Sequence, residues 1–134
     1  MNSINKWQYG AFILRIVLGL IFLVHGYQKF EGGLSGVAGF FGSLGLPGFM
    51  AYVVAVIELA GGILMLIGLG TRWIAAAFAV IMLVAIFTAK LSQGFTGGYE
   101  LELALLGMSL GLFFTGKQFL ALENVFSRGK ANAL

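Results

Sequence analysis

Residues 49–72 read FMAYVVAVIELAGGILMLIGLGTR. From Phe49 to Leu69 this run carries a single charged side chain, Glu58. A bilayer core about 30 Å thick is crossed by roughly 20 apolar helical residues, so the stretch has the length and composition of a membrane span. It stops at Gly70-Thr71-Arg72, and a second apolar run follows at once, from Trp73 to Ala89. A link this short makes the two helices antiparallel neighbours.

Working outward, a further span is expected upstream from Tyr9 to Tyr27, through AFILRIVLGLIFLVHG, and another downstream from Tyr99 to Thr115, the shortest of the four. The upstream run is too long for a signal peptide, contains Arg15 and His25, and has no small-residue cleavage site after it, so it reads as a retained span. The longest link is Glu31–Gly48. Within it Leu34, Val37, Phe40, Phe41 and Leu44 recur at a helical period, which predicts a short amphipathic or re-entrant helix at about 34–44 against one end of the bundle. Pro47 suits the start of the following helix, where its missing N–H leaves nothing unsatisfied. The expected fold is therefore all-α: one membrane domain over residues 1–134, a bundle of four transmembrane helices.

Composition agrees. The chain is 60% hydrophobic and 10% charged, with a mean hydropathy of +0.99, against about 25% charged residues in an ordinary soluble domain. It has no cysteine, which excludes disulfides, thiol relays and thiolate metal sites. The net charge of +3 is scattered, which reads as a topology signal and argues against a nucleic-acid surface. With four spans, Lys6, Arg72, Lys117, Arg128 and Lys130 fall on one side and Lys29 and Lys90 on the other, so both termini should be cytoplasmic. Trp7, Tyr9, Tyr52, Trp73 and Tyr99 lie near span ends, as an interfacial aromatic belt would.

An ionisable side chain at the centre of a span costs about 2.5–3.5 kcal/mol on insertion scales and is usually paired or functional. Arg15, His25, Glu58 and Glu102 are the residues at issue. At 1.5 Å per residue, Arg15 lies roughly 9 Å from the cytoplasmic boundary and Glu58 roughly 13 Å from the outer one, with His25 and Glu102 near the outer boundary. Helical periodicity places Arg15, Gly19, Phe22, Gly26 and Lys29 on one face of the first span, with His25 at its edge. It places Ala51, Ala55, Glu58, Gly61, Gly62 and Met65 together on the second, and Glu102, Leu106, Ser109, Phe113 and Gly116 together on the fourth. Small residues beside the charges let these faces approach, which predicts a polar axis with Arg15 and Glu58 as an ion pair and Lys29 holding Glu31 or reaching Glu102. The structural alternatives are a snorkelling Arg15, a Glu58 that specifies register only and an interfacial His25.

The chain resembles the DoxX family of small bacterial membrane proteins. The resemblance rests on LRIVLGLIFLVHGYQKF (14–30), GVAGFFGSLGLPG (36–48), IELAGGILMLIGLGTR (57–72) and GYELELALLG (98–107). These are an arginine in span one followed by H-G-x-x-K, a glutamate before Gly-Gly in span two and a glutamate opening span four. The resemblance implies a multi-pass protein of the bacterial cell membrane, an oxidoreductase connected with quinone or catechol stress. Residue by residue it carries over Arg15, His25, Lys29, Glu58 and Glu102.

Three functions follow as expectations. The first is a site for a quinone, quinol or catechol inside the bundle, with Glu58, His25 and Arg15 as the catalytic candidates and Lys29, Glu102, Phe22 and Met65 as ligand-binding ones. Thirteen Phe, four Tyr and two Trp could sandwich a ring, and a histidine with a carboxylate can accept protons released on oxidation. No nucleotide fingerprint is present, no metal site is expected, and a lone histidine has no evident second axial ligand for haem. The cofactor is left unknown, a quinone being compatible, and if the chain is an enzyme a bound cofactor or a soluble oxidoreductase partner must carry the electrons. The second is a non-catalytic subunit that docks a soluble oxidoreductase through its cytoplasmic end, Lys117–Leu134. The third is a proton-coupled exporter of aromatic compounds, which at this size would have to act as a homodimer.

Overall fold

A computed structural model describes residues 6–115 and 118–126. Lys117, Arg128 and Lys130, which weigh in the charge asymmetry, and Gly116 lie outside the described residues, as does half of the proposed docking end. Among the described residues the chain is all helical: α1 (Lys6–Glu31), α2 (Leu34–Ser43), α3 (Phe49–Ile67), α4 (Thr71–Ala85) and α5 (Glu100–Phe113). After α4 the backbone widens to a π-helical turn at Ile86–Lys90 and tightens at Leu91–Gln93, so α4 and its extension run continuously to Gln93.

Three helical stretches, Lys6–Glu31, Phe49–Ile67 and Thr71–Gln93, are long and apolar enough to cross a membrane. The fourth expected span differs. Its helix has 14 residues and covers roughly 21 Å, because Phe95–Tyr99 is spent on a kinked turn with non-helical backbone at Thr96 and Gly97. The helix expected at 34–44 is present as α2, and no residue of it is fully buried.

The hairpin between α3 and α4 is made by two left-handed glycines, Gly68 and Gly70. Gly68 has φ 75°, the N–H of Leu69 bonds to Leu64 O at 2.9 Å and that of Gly68 to Met65 O at 3.3 Å. This closes the last turn of α3 in a Schellman arrangement that a side chain would strain. At this end residues 118–126 return beneath the helices. The N–H groups of Leu122 and Glu123 bond to Ile67 O and Gly68 O at 2.9 and 3.0 Å, and the Glu123 carboxylate accepts from Thr71 N at 3.2 Å. Carbonyls orphaned at the end of α3 and a donor orphaned at the start of α4 are thus satisfied by one segment.

The helices pack in two pairs, α1 along α3 and α4 along α5. The α1–α3 pair is close because glycines face each other: a β-carbon at Gly26 would lie 2.5 Å from Leu59 N, and one at Gly62 2.8 Å from Gly19 O. The two pairs are tied by Phe22 and Phe78, whose rings stack 3.7 Å apart at 9°. Phe78 reaches Phe22 over Gly61, where a side chain would meet its ring. Leu18, Met65, Leu105 and Leu112 complete the core. The outer faces remain apolar and exposed, as at Ile13, Val17, Leu20 and Val24 along α1, the pattern of helices whose solvent is lipid.

Candidate functional site

The close crossing of α1 and α3 decides the polar contacts. Gly26 lies against the backbone of Glu58 and Leu59, which sets Lys29, one turn further along α1, over Glu58. Lys29 Nζ is 2.7 Å from Glu58 Oε1, and the Glu58 side chain is only 2% exposed. A second pair, Lys90 Nζ to Glu102 Oε1, is looser at 3.7 Å, and the other oxygen of Glu102, Oε2, is buried without a hydrogen-bond partner.

Both pairs stand in the wall of one cavity of about 860 Å³. Its roof is α2, through Val37, Phe40 and Phe41, with Leu44 just after it; its sides are α3 and α4, through Val54, Ile57, Ile81 and Val84; its polar corner holds His25, Lys29, Glu58, Lys90 and Glu102. The cavity exists because α3 and α4 touch near their turn, where Gly61 admits Phe78, and leave room beyond it. Almost all of the surface is apolar, and the polar groups are few and convergent, which is the form of a small-molecule site. Among the described residues no three His, Asp or Glu side chains come together as a metal site requires.

The expected pairing of Arg15 with Glu58 is corrected. Arg15 is fully buried at the opposite end of the bundle, where Nη1 donates to Phe119 O at 3.0 Å and Nη2 to Leu120 O at 2.8 Å. Its guanidinium lies over the Phe12 ring, 5.2 Å from the centroid, and the carboxylate that acts on it is Glu123. Roughly 9 Å of depth from one boundary and 13 Å from the other leave the two residues roughly 8 Å apart along a 30 Å core, so Arg15 takes carbonyls at its own level. Lys29 likewise holds neither Glu31 nor Glu102 in an ion pair; it pairs with Glu58.

Of the seven candidate residues, His25, Lys29, Glu58 and Glu102 line the cavity together, while Arg15, Phe22 and Met65 do not. Phe22 is occupied by its stack on Phe78, and Met65 is fully buried in the core near the turn. Sequence reasoning used Lys90 only to count charges. Its signal was present: it ends the third apolar run at the same outer level as Glu102. Glu123 gave no signal before the return of the last segment was seen.

The DoxX family pattern matches residues 10–91. Over 128 residues the chain is 47% identical to a Bacillus subtilis (strain 168) protein named "Putative oxidoreductase CatD", covering 96% of this chain and 95% of that one. It is 34% identical over 113 residues to "Uncharacterized membrane protein Rv3486" of Mycobacterium tuberculosis, covering 75% and 69% of the two. It is 33% identical over 63 residues to "Inner membrane protein YqjF" of Escherichia coli, covering 47% and 48%. No solved structure matches it. With the family pattern across most of its length and a near full-length relative at this identity, the chain is a membrane protein of the DoxX family.

Proposed function

We propose that the cavity binds a small aromatic redox molecule, a quinone, quinol or catechol, as part of a membrane oxidoreductase activity. The observation that carries the reading is the pairing of two lysines with two glutamates in the wall of an otherwise apolar, 860 Å³ chamber. A lysine ammonium donates to a ring carbonyl oxygen, and a carboxylate accepts from a ring hydroxyl, so the corner fits both oxidation states. Interconversion of the two states moves two protons and two electrons. Glu58, Glu102 and His25 are the groups placed to exchange protons, and the electrons pass through a bound group or a partner oxidoreductase. The name of the Bacillus subtilis relative supports an oxidoreductase role.

In this reading α5 is the fourth crossing. Its packing along α4 and its exposed Leu101, Leu103 and Leu110 support that placement. Lys6 and Arg72 then mark the cytoplasmic end and the cavity opens toward the outer leaflet. A second reading, a subunit that docks a soluble oxidoreductase, is favoured by exposed Leu120, Val125 and Phe126 on the returning segment.

The test is the thermal midpoint of purified protein titrated with a short quinol or catechol. A ligand at 100 times its Kd stabilises by about 2.7 kcal/mol, and Glu58→Gln should reduce the response. No shift at saturation in the unmodified protein would refute the site and leave the docking reading in place.

A further inference from the structure

We infer that the natural ligand is a lipid-soluble amphiphile: a quinol ring whose hydroxyl donates to Glu102 and a hydrocarbon tail lying in the groove between α3 and α4. This deepens the proposed site and rests on it.

The first observation is the distribution of polarity. The charged groups of the cavity are the two pairs Lys29–Glu58 and Lys90–Glu102, whereas the facing walls of α3 and α4 are Val53, Val54, Ile57, Ala77, Val80 and Ile81. Thr88, also on this wall, donates to Val84 O at 2.6 Å in its own helix and offers no hydroxyl hydrogen to a guest. A compact polar ring uses only the corner. On α4 the groove extends from Thr88 back to Ala77, roughly 16 Å of helix, and nothing in it rewards a second polar group.

The second observation is where the groove opens. Val53 and Val80 line the cavity and yet are 48% and 60% exposed. Both lie on helices long and apolar enough to cross the membrane. The opening between α3 and α4 therefore faces hydrocarbon, and a guest reaches the corner from within the bilayer, head first, without crossing water. Lipid tails are as apolar as the groove, so the groove does not attract the tail by hydrophobicity. It lets the tail remain in an apolar medium while the ring enters.

The third observation fixes the head. Glu58 is committed to Lys29 at 2.7 Å. Glu102 holds Lys90 only at 3.7 Å, and its buried Oε2 has no partner. An unsatisfied buried carboxylate oxygen costs about 1–3 kcal/mol or more, a cost removed when a ring hydroxyl donates to it.

The experiment compares two ligands in detergent-solubilised protein, each expressed as a mole fraction of the detergent phase. One is a 1,4-benzoquinol with a two-isoprene chain; the other is the same ring with a methyl group in place of the chain. The half-saturating fraction is read from thermal midpoints. Ala77→Phe, which narrows the groove, should raise it at least tenfold for the tailed ligand and less than twofold for the methyl one. Val80→Phe, at a lipid-exposed position that cannot disturb the core, should act in the same sense. Glu102→Gln should weaken both ligands by the same factor. Equal effects of the groove variants on both ligands, or none on either, would overturn the tail placement while leaving the ring site intact. Indifference of both ligands to Glu102→Gln would overturn the head placement. If neither ligand shifts the unmodified protein, the ring site itself falls, and this inference with it.

Discussion

Replacing Gly26 with alanine tests whether the glycine contact creates the polar corner. An added β-carbon would stand 2.5 Å from Leu59 N, 2.9 Å from Leu59 Cα and 3.0 Å from Glu58 C. All three are backbone atoms and cannot rotate aside. Restoring ordinary contact at 3.4 Å requires α1 and α3 to part by about 0.9 Å at this level. A gap of 0.5–1 Å forfeits a quarter to a half of each contact's attraction, and overpacking of this kind costs about 1–3 kcal/mol. Alanine recovers about 0.5–1 kcal/mol of helix propensity. The net expectation is a loss of roughly 2 kcal/mol, near a factor of 30 in the folding equilibrium. The control is Gly10→Ala, in the same helix but with nothing within 4 Å of its β-carbon, which should be neutral or slightly stabilising. The assay is the thermal midpoint of both variants in one detergent, read as the fraction surviving size exclusion after heating. If Gly26→Ala melts with Gly10→Ala, the close approach of α1 and α3 does not hold the bundle together, and the placement of Lys29 over Glu58 loses its explanation.

Lys29→Met leaves Glu58 buried without its partner and should destabilise by about 3 kcal/mol, whereas Lys29→Met with Glu58→Met should lose much less; equal losses by denaturation would refute the pair. Arg15→Met frees two carbonyls at Phe119 and Leu120 and should speed limited proteolysis within residues 118–126, with no change in ligand-induced thermal shift; unchanged cleavage would show that Arg15 does not fasten the segment. Phe22→Ala removes the stack on Phe78 and should cost on the order of 3 kcal/mol while preserving the half-saturating ligand concentration. A large change in that concentration would return Phe22 to the ligand site.

The buried face of α3 was fully legible. Ala51, Ala55, Glu58, Gly61, Gly62 and Met65, grouped by helical period, are its buried residues. Arg15, Gly19, Phe22 and Gly26 on α1 follow the same rule. Small residues and a charge on one stripe orient a helix even where everything else is apolar. On α5 the rule slipped: Ser109 is buried, but Leu105 and Leu112 replace Leu106 and Phe113. A helix that is hydrophobic all round carries little record of its own rotation. The candidate site was legible to the extent that depth and face determine it, which put Glu58 near the middle of a polar axis and His25 and Glu102 near its outer mouth; all three line the cavity. The pairings were not legible, because long side chains choose partners across about a turn of helix. Lys29 extends inward to Glu58, against the direction in which a snorkelling lysine would point. Apart from the Glu123 carboxylate, the atoms that residues 118–126 contribute to these bonds are backbone N–H and carbonyl groups, which nearly every residue possesses, so little in the side-chain pattern announces them.

The return of residues 118–126 has a consequence for biosynthesis. Ile67 O, Gly68 O, Thr71 N and the guanidinium of Arg15 all wait for atoms encoded some fifty to one hundred codons later. While the ribosome is still at work, the hairpin that emerged first carries its unfinished edge, and the final clasp closes only after the last helix has been delivered. A stop codon before Gln118 would therefore leave every span inserted yet the bundle unlatched, producing a protein that reaches the membrane and is then cleared from it.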